Sequence, residues 1–224
     1  LFVPGKGYDY ILSGDYSQIE LRLLAHLSQD PTMVDGFLKN QDIHRRTASE
    51  VFGIPWEDVT PEQRSHAKAV NFGIIYGISD FGLARNISIS RQQAKQYIDS
   101  YFARYSTVHA YMDGLIAQAH QTGYAKTMFG RIRALPEINS KNFTRRSFAE
   151  RTAMNAPIQG SAADIIKMAM NAVQQQLEER HLKSRLLVQV HDELVLEVPA
   201  AERDESAALL KDTMEHIVTL SVPL

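Results

Sequence analysis

The sequence contains no cysteine among its 224 residues, which excludes disulfides and thiolate metal sites and permits a reducing compartment. Its longest apolar runs fall far below membrane-spanning length, and the N-terminus has neither a basic n-region nor a signal h-region. The chain is therefore read as soluble, unexported and unattached to a membrane. It shows no internal repeat and no low-complexity tract, since Gln174 to Gln176 is too short to count. It also has no initiator Met and starts and stops within plausible structure, so it reads as a piece of a longer protein.

A formal net charge of −2 does not advertise a polyanionic partner. The charges are unevenly spread, however. Lys126, Arg131, Arg133, Lys141, Arg145, Arg146 and Arg151 crowd one segment, while the last fifty or so residues are rich in Glu and Asp. Two solvated faces or a nucleic-acid groove account equally well for that asymmetry. A hydrophobic content of 44% is ordinary for a globular protein, and the length suits one large domain or two modest ones.

The most informative stretch is LLVQVHDELVLEV, residues 186–198. Leu186, Val188 and Val190, then Leu194, Leu196 and Val198, follow the period of two of strands burying one face, with a turn at His191, Asp192 and Glu193. Asp is a good turn former, so a charged hairpin tip has an ordinary explanation. It gains interest only if another acidic strand end meets it, because paired carboxylates can hold divalent cations. Residues 8–14 form a short strand that ends at such a group, Asp15.

Ser17 and Glu20 have the form of a capping box opening a helix that Asp30-Pro31 ends. Another helix begins near Asp42, with His44 in its first turn, where an anion is favoured although a surface histidine is the ordinary account. Thr60, Pro61 and Gln63 specify the start of a third helix. Along it Arg64, Lys68, Phe72 and Tyr76 recur every four residues, two cations followed by two rings. A phosphate chain, sugar and base could lie along that stripe; solvated cations and core aromatics explain the pattern equally well. Gly73 and Gly77 cost helix stability, roughly 1 kcal/mol each, and imply a close approach or a bend.

Ser90 with Gln93 caps a helix whose Tyr97, Tyr101 and Tyr105 read as core. A helix from Thr107 to Gly123, a hairpin over 124–135 and a basic helix from Thr144 follow. Pro157 and Gly160 are expected to interrupt that helix, and Ser161 and Asp164 to restart it. Arg151, Asn155 and Gln159 recur every four residues and could read a duplex edge or be solvated. Ser206 to Val218 is one more helix.

Asp15-Tyr-Ser-Gln-Ile-Glu-Leu-Arg22, then Arg64-x3-Lys68-x3-Phe72-x3-Tyr76-Gly77, then Val190-His-Asp-Glu193 resemble in order and spacing motifs A, B and C of the family A DNA polymerases, of the bacterial DNA polymerase I type. Asp42-Ile-His44, Ser79-x-Phe81-Gly82 and Asn155-Ala-Pro-Ile-Gln159-Gly160 extend the likeness across almost the whole chain. The resemblance implies an α+β fold: an antiparallel palm sheet carrying a large, mostly helical fingers insertion. The palm would be residues 1–28 and 144–224, with motif C on a hairpin at about 186–198, and the fingers 29–143, with the motif B helix at about 61–77.

The function so implied is template-directed DNA synthesis by nucleotidyl transfer from dNTPs to a primer 3′-OH. Two Mg²⁺ ions would serve as cofactors, with Mn²⁺ able to substitute. Asp15, Asp192 and the Tyr16 carbonyl would be metal ligands, and Glu193 a supporting catalytic carboxylate. Arg64, Lys68 and His44 would clamp the triphosphate, with Lys68 also protonating the leaving pyrophosphate. Phe72 would pack on the sugar, Tyr76 on the template base or the gate, and Glu20 would exclude a ribose 2′-OH in addition to capping. Arg151, Asn155, Gln159 and His191 would contact primer-template DNA. Closure of the fingers would carry Arg64 and Lys68 to the palm. The implied protein is a monomer in the bacterial cytoplasm, associated with the nucleoid.

The likeness also has gaps. Nothing in the chain matches the thumb or the upstream exonuclease domains of relatives, so the isolated chain is expected to be inactive. Two other readings use part of the same pattern. A two-metal nuclease would need the acids but not the Arg64 to Tyr76 stripe, and a non-catalytic DNA-binding module would need neither Asp15 with Asp192 nor Lys68.

Overall fold

A computed structural model describes residues 3–224. The chain divides into two compact units, one holding the described residues up to Ile19 with Ser161–Leu224, the other Glu20–Gly160. These divisions lie at 19/20 and 160/161, where the sequence placed them at 28/29 and 143/144. Both lie inside helices, so no linker composition marks them.

In chain order, β1 (Tyr10–Asp15) is followed by α1 (Ile19–Ser28), α2 (Pro31–Leu38), α3 (Ile43–Phe52), α4 (Pro61–Ile75), α5 (Asp80–Asn86), α6 (Arg91–Arg104) and α7 (Ser106–Thr122). A small hairpin, β2 (Tyr124–Lys126) and β3 (Ile132–Ala134), leads into α8 (Phe143–Glu179), then β4 (Arg185–Val190), β5 (Glu193–Val198) and α9 (Arg203–His216). Helices with small antiparallel sheets make this an α+β fold.

The first unit is built on a three-stranded antiparallel sheet in the order β1-β5-β4. Placing β5 in the centre buries every residue from Leu194 to Val198, including Glu197, which lies against the Arg185 guanidinium and accepts from the Gly5 amide at 2.9 Å. Simple alternation does not survive in β4. A register shift between Leu186 and Val188 sets Leu186 opposite Leu196 but Val188 opposite Val195. The extra residue, Leu187, turns the remainder of the strand over, and Val190 is exposed. On the other edge α9 lies against β1. A Cβ on Gly14 would come within 2.9 Å of the Met214 sulfur, so glycine is what lets helix and strand approach.

The second unit is helical. Its helix starts follow local chemistry: Asp42 accepts from the amides of His44 and Arg45, and Thr60/Gln63 and Ser90/Gln93 form complete capping boxes. Asp30 does not simply end α1. Its side chain accepts from the Thr32 and Met33 amides with Pro31 at the first position, starting α2, an element absent from the sequence reading. Tyr101 and Tyr105 are fully buried, while Tyr97 packs on Phe52 at 4.2 Å.

Helix α1 begins at Ile19, directly after Gln18 at φ 57°. One other expectation fails. Helix α8 is not interrupted at Pro157 and Gly160. It runs unbroken for 37 residues, because proline removes one N–H of the ladder while the flanking turns retain theirs. Gly160 has another purpose, since a Cβ there would sit 2.5 Å from Thr127 Cγ2. The glycine is the notch in α8 that receives the small hairpin.

Candidate active site

Strand pairing assembles the acidic centre. Asp15, the last residue of β1, lies directly opposite Glu193, the first of β5. The intervening turn is fastened to the β1 end by the Tyr16 amide, which donates to the Asp192 carbonyl at 3.1 Å, and His191 takes the left-handed φ of 53° that a two-residue connection between strands demands. Asp15 is thus surrounded by negative charge. Its carboxyl pKa is raised by partial burial first, then by the charges of Asp192 and Glu193 and by a side-chain hydrogen bond with Asp192.

Two acids almost a full chain apart in sequence therefore share one strand end. The donor set suits a hard divalent cation: all the ligating atoms are oxygens, and a cation would relieve the repulsion that disfavours Asp15 ionisation. The fit is open rather than enclosed. Among the described residues no group of three or more His, Asp or Glu side chains forms a ready cage, and the Glu193 carboxylate accepts from the Ser13 hydroxyl. The Tyr16 phenol is buried and donates to the Met214 carbonyl at 2.7 Å, so only its main-chain carbonyl could serve a cation.

In the helical unit, α4 carries the cation and aromatic stripe. Arg64 Nε donates to Asp42 Oδ2 at 2.6 Å, so the residue capping α3 also holds this guanidinium. Lys68 is exposed, its Nζ 6.0 Å from the Phe72 ring, and the half-buried Phe72 meets the His44 ring at 5.9 Å. His44 is not the surface histidine its composition suggested: it is 3% exposed. Burial first, and then the Arg64 and Lys68 cations against an opposing pull from Asp42, lower its pKa to about 4, so the imidazole is neutral at physiological pH.

Helix α4 stops at Tyr76. The Gly77 amide donates to the Ile74 carbonyl and the Ile78 amide to that of Gly73, at 3.0 and 2.8 Å, a Schellman closure with Gly77 at φ 63°. The close approach inferred at Gly73 is made by the side chain of Ile78, and that at Gly77 by Met154 and Arg151 of α8. The exposed Tyr76 hydroxyl donates to the Glu20 carboxylate at 3.1 Å and accepts from Gln159 Nε2 at 3.0 Å. Burial first and the Glu20 charge second hold the phenol's pKa up. Glu20 is thus a partner of Tyr76.

Arg151, Asn155 and Gln159 line a cleft of about 770 Å³, together with Tyr76, Arg131, Arg133 and Phe148. Asn155 Nδ2 is buried there with no hydrogen-bond partner among the described residues. His191, grouped with these three in the sequence, sits on the β4–β5 turn of the other unit. Phe148 was missed because a lone aromatic on a basic helix carries no pattern. Asn71 was missed because it is one residue from the stripe, yet it is fully buried with its amide 3.0 Å from His44 Nδ1.

A chain with an antiparallel sheet bearing carboxylates at a strand end and a helical unit carrying cations and rings on one helix belongs to a known class. The chain is a member of DNA polymerase family A, whose model matches residues 1–224. It is similar to the DNA polymerase I of Lactococcus lactis subsp. lactis, 54% identical over 224 residues, to that of Caldicellulosiruptor bescii at 53%, and to that of Bacillus subtilis at 51%. All of this chain is covered in each, but only 25%, 26% and 25% of the relatives. The chain thus spans about a quarter of the curated relatives it matches. It also superposes at a TM-score of 0.96 and 46% identity on the POL domain of Pol1 from M. smegmatis in complex with DNA primer-template and dNTP, covering all of this chain and 39% of that one. No helix among the described residues is long and apolar enough to cross a membrane.

Proposed function

We propose that this chain is the part of a DNA-directed DNA polymerase that adds deoxynucleotides from dNTPs to the 3′-OH of a primer paired with a template, releasing pyrophosphate. The observation that carries the reading is the meeting of Asp15, Asp192 and Glu193 at one strand end, in a chain that belongs to this family throughout its length. We take the sheet unit as palm and the helical unit as fingers.

Asp15 and Asp192, with the Tyr16 carbonyl, are the groups that would hold Mg²⁺, or Mn²⁺ in its place. Two such ions, when bound, supply a lowered pKa for the primer hydroxyl and charge neutralisation on the triphosphate. Glu193 adds negative potential at the same strand end. Lys68 would meet a triphosphate oxygen and give a proton to departing pyrophosphate, and Arg64, moving from Asp42 to phosphate, would exchange one anion for another. His44 meets the same phosphates as a neutral N–H donor. Phe72 offers a face to the sugar. Glu20, held by Tyr76, would exclude a ribose 2′-OH. Arg151, Asn155, Gln159 and His191 contact primer-template DNA, with the unpaired Asn155 amide available to an acceptor on a base or sugar.

Primer extension by the intact polymerase carrying Asp192→Ala tests the reading. Extension should fall below detection while most primer-template affinity remains, and extension at the wild-type rate would remove the carboxylates from the chemistry. Glu20→Ala should raise ribonucleotide incorporation by at least tenfold, the scale of one lost steric or polar exclusion. Unchanged sugar selectivity would leave Glu20 as a structural partner of Tyr76.

A further inference from the structure

The interior of the helical unit contains a polar chain leading to the triphosphate-facing histidine. Thr47, Asn71 and Tyr105 are each fully buried, and His44 nearly so. Asn71 Nδ2 lies 3.0 Å from His44 Nδ1, its Oδ1 lies 3.1 Å from the Thr47 hydroxyl, and that hydroxyl lies 3.4 Å from the Tyr105 hydroxyl. A buried carboxamide is costly unless both its ends are matched. Here one end faces the Thr47 hydroxyl, whose proton is shared between Asn71 Oδ1 at 3.1 Å and the Ile43 carbonyl at 2.9 Å, and the other faces a ring nitrogen.

We infer that Asn71 is a positioning residue for His44: by donating to Nδ1 it fixes the imidazole as the Nε2–H tautomer, so that the incoming triphosphate meets a neutral N–H donor. This rests on the polymerase reading above. A neutral imidazole has one N–H, and an Nδ1 that accepts leaves the proton on Nε2. Nε2 has no hydrogen-bond partner among the described residues. If the amide were rotated, Oδ1 would face Nδ1 and require the proton there, turning the Nε2 lone pair toward an anion. The charged groups acting on the ring are Arg64 and Lys68, which disfavour its protonation, and Asp42, which opposes them; with burial, the cations prevail. A neutral donor avoids the desolvation cost of burying a charged imidazole beside the cations Arg64 and Lys68.

The test uses ¹⁵N-histidine-labelled chain and two-bond ¹H–¹⁵N correlation spectra, with the His44 signal identified by its loss in His44→Gln. The expected result at neutral pH is a single Nε2–H tautomer, becoming a mixture in Asn71→Leu. An Nδ1–H tautomer in the unsubstituted chain overturns the inference without any variant having to fold, as does a His44 spectrum unchanged by Asn71→Leu. Binding of dTTP with Mg²⁺ supplies the functional arm. Asn71→Leu should weaken it about tenfold, while adding Asn71→Leu to His44→Gln should weaken it no further. Additive losses would make Asn71 merely structural. A His44→Gln variant that binds dTTP normally would instead count against the phosphate role proposed for His44, a failure the tautomer spectrum separates from its own.

Discussion

Ionisation of Asp15 opposes folding. A carboxyl whose pKa is raised in the folded state binds its proton more tightly there than in the unfolded chain. Its contribution to stability is therefore greatest below the ordinary value of 3.8 and declines as pH rises through the raised folded value. At neutral pH Asp15 is ionised at a cost that Asn would not incur. Asp15→Asn should raise the melting temperature at pH 7 in a chelator by about 1–3 °C, a small gain because the group is largely exposed. The gain should disappear near pH 3, where both states are protonated, and shrink when Mg²⁺ is added at pH 7. An Asp15→Asn melting point unchanged at pH 7 would mean that the neighbouring acids do not burden this carboxyl.

Among the elements, α4 and α8 depend on features of different visibility. The Thr60 and Gln63 cap is a local pattern with one energetic meaning, and Thr60→Ala should cost about 1 kcal/mol in denaturant unfolding. Gly160 is the opposite case. In an exposed helix interior, Gly→Ala gains about 1 kcal/mol, but here the added methyl meets Thr127 Cγ2, and the Thr127 rotamer is tied by its hydroxyl accepting from the Arg131 amide at 3.1 Å. Gly160→Ala should therefore destabilise by about 1–2 kcal/mol, and Thr127→Ser, which removes that methyl and keeps the hydroxyl, should restore the loss. Stabilisation by Gly160→Ala alone would show that the hairpin can give way.

The whole molecule combines local and distant contacts unevenly. Helices α3 to α6 pack against neighbours close in sequence, whereas the sheet pairs Tyr10–Asp15 with Glu193–Val198. Ordering the chain between those strands comes before their pairing yields any stability, so contacts of this separation form late. Pulsed hydrogen exchange during refolding should protect amides of α3, α4 and α6 before those of β1 and β5. Simultaneous protection of both sets would place the sheet in the folding nucleus. On the expected outcome, the strand end bearing the acids is among the last parts to be ordered.

Much of this protein could be read from residues near one another. Capping boxes at Thr60 and Ser90, the α4 stripe, the buried tyrosines of α6 and the turn at His191 and Asp192 follow from short-range patterning, whose physical cause acts over one or two turns. The order of the motifs pointed to the family on its own. Tertiary structure alone decided the rest. The flip of β4 at Leu187 depends on its pairing with β5. Gly160 is meaningful only because Thr127 lies against it. His44 became a buried neutral base, and Asn71 its partner, because α3 packs on α4. Local sequence encodes which backbone groups pair with neighbours in the chain; which side chains lose water, and which charges share a strand end, is set by segments that the sequence keeps far apart.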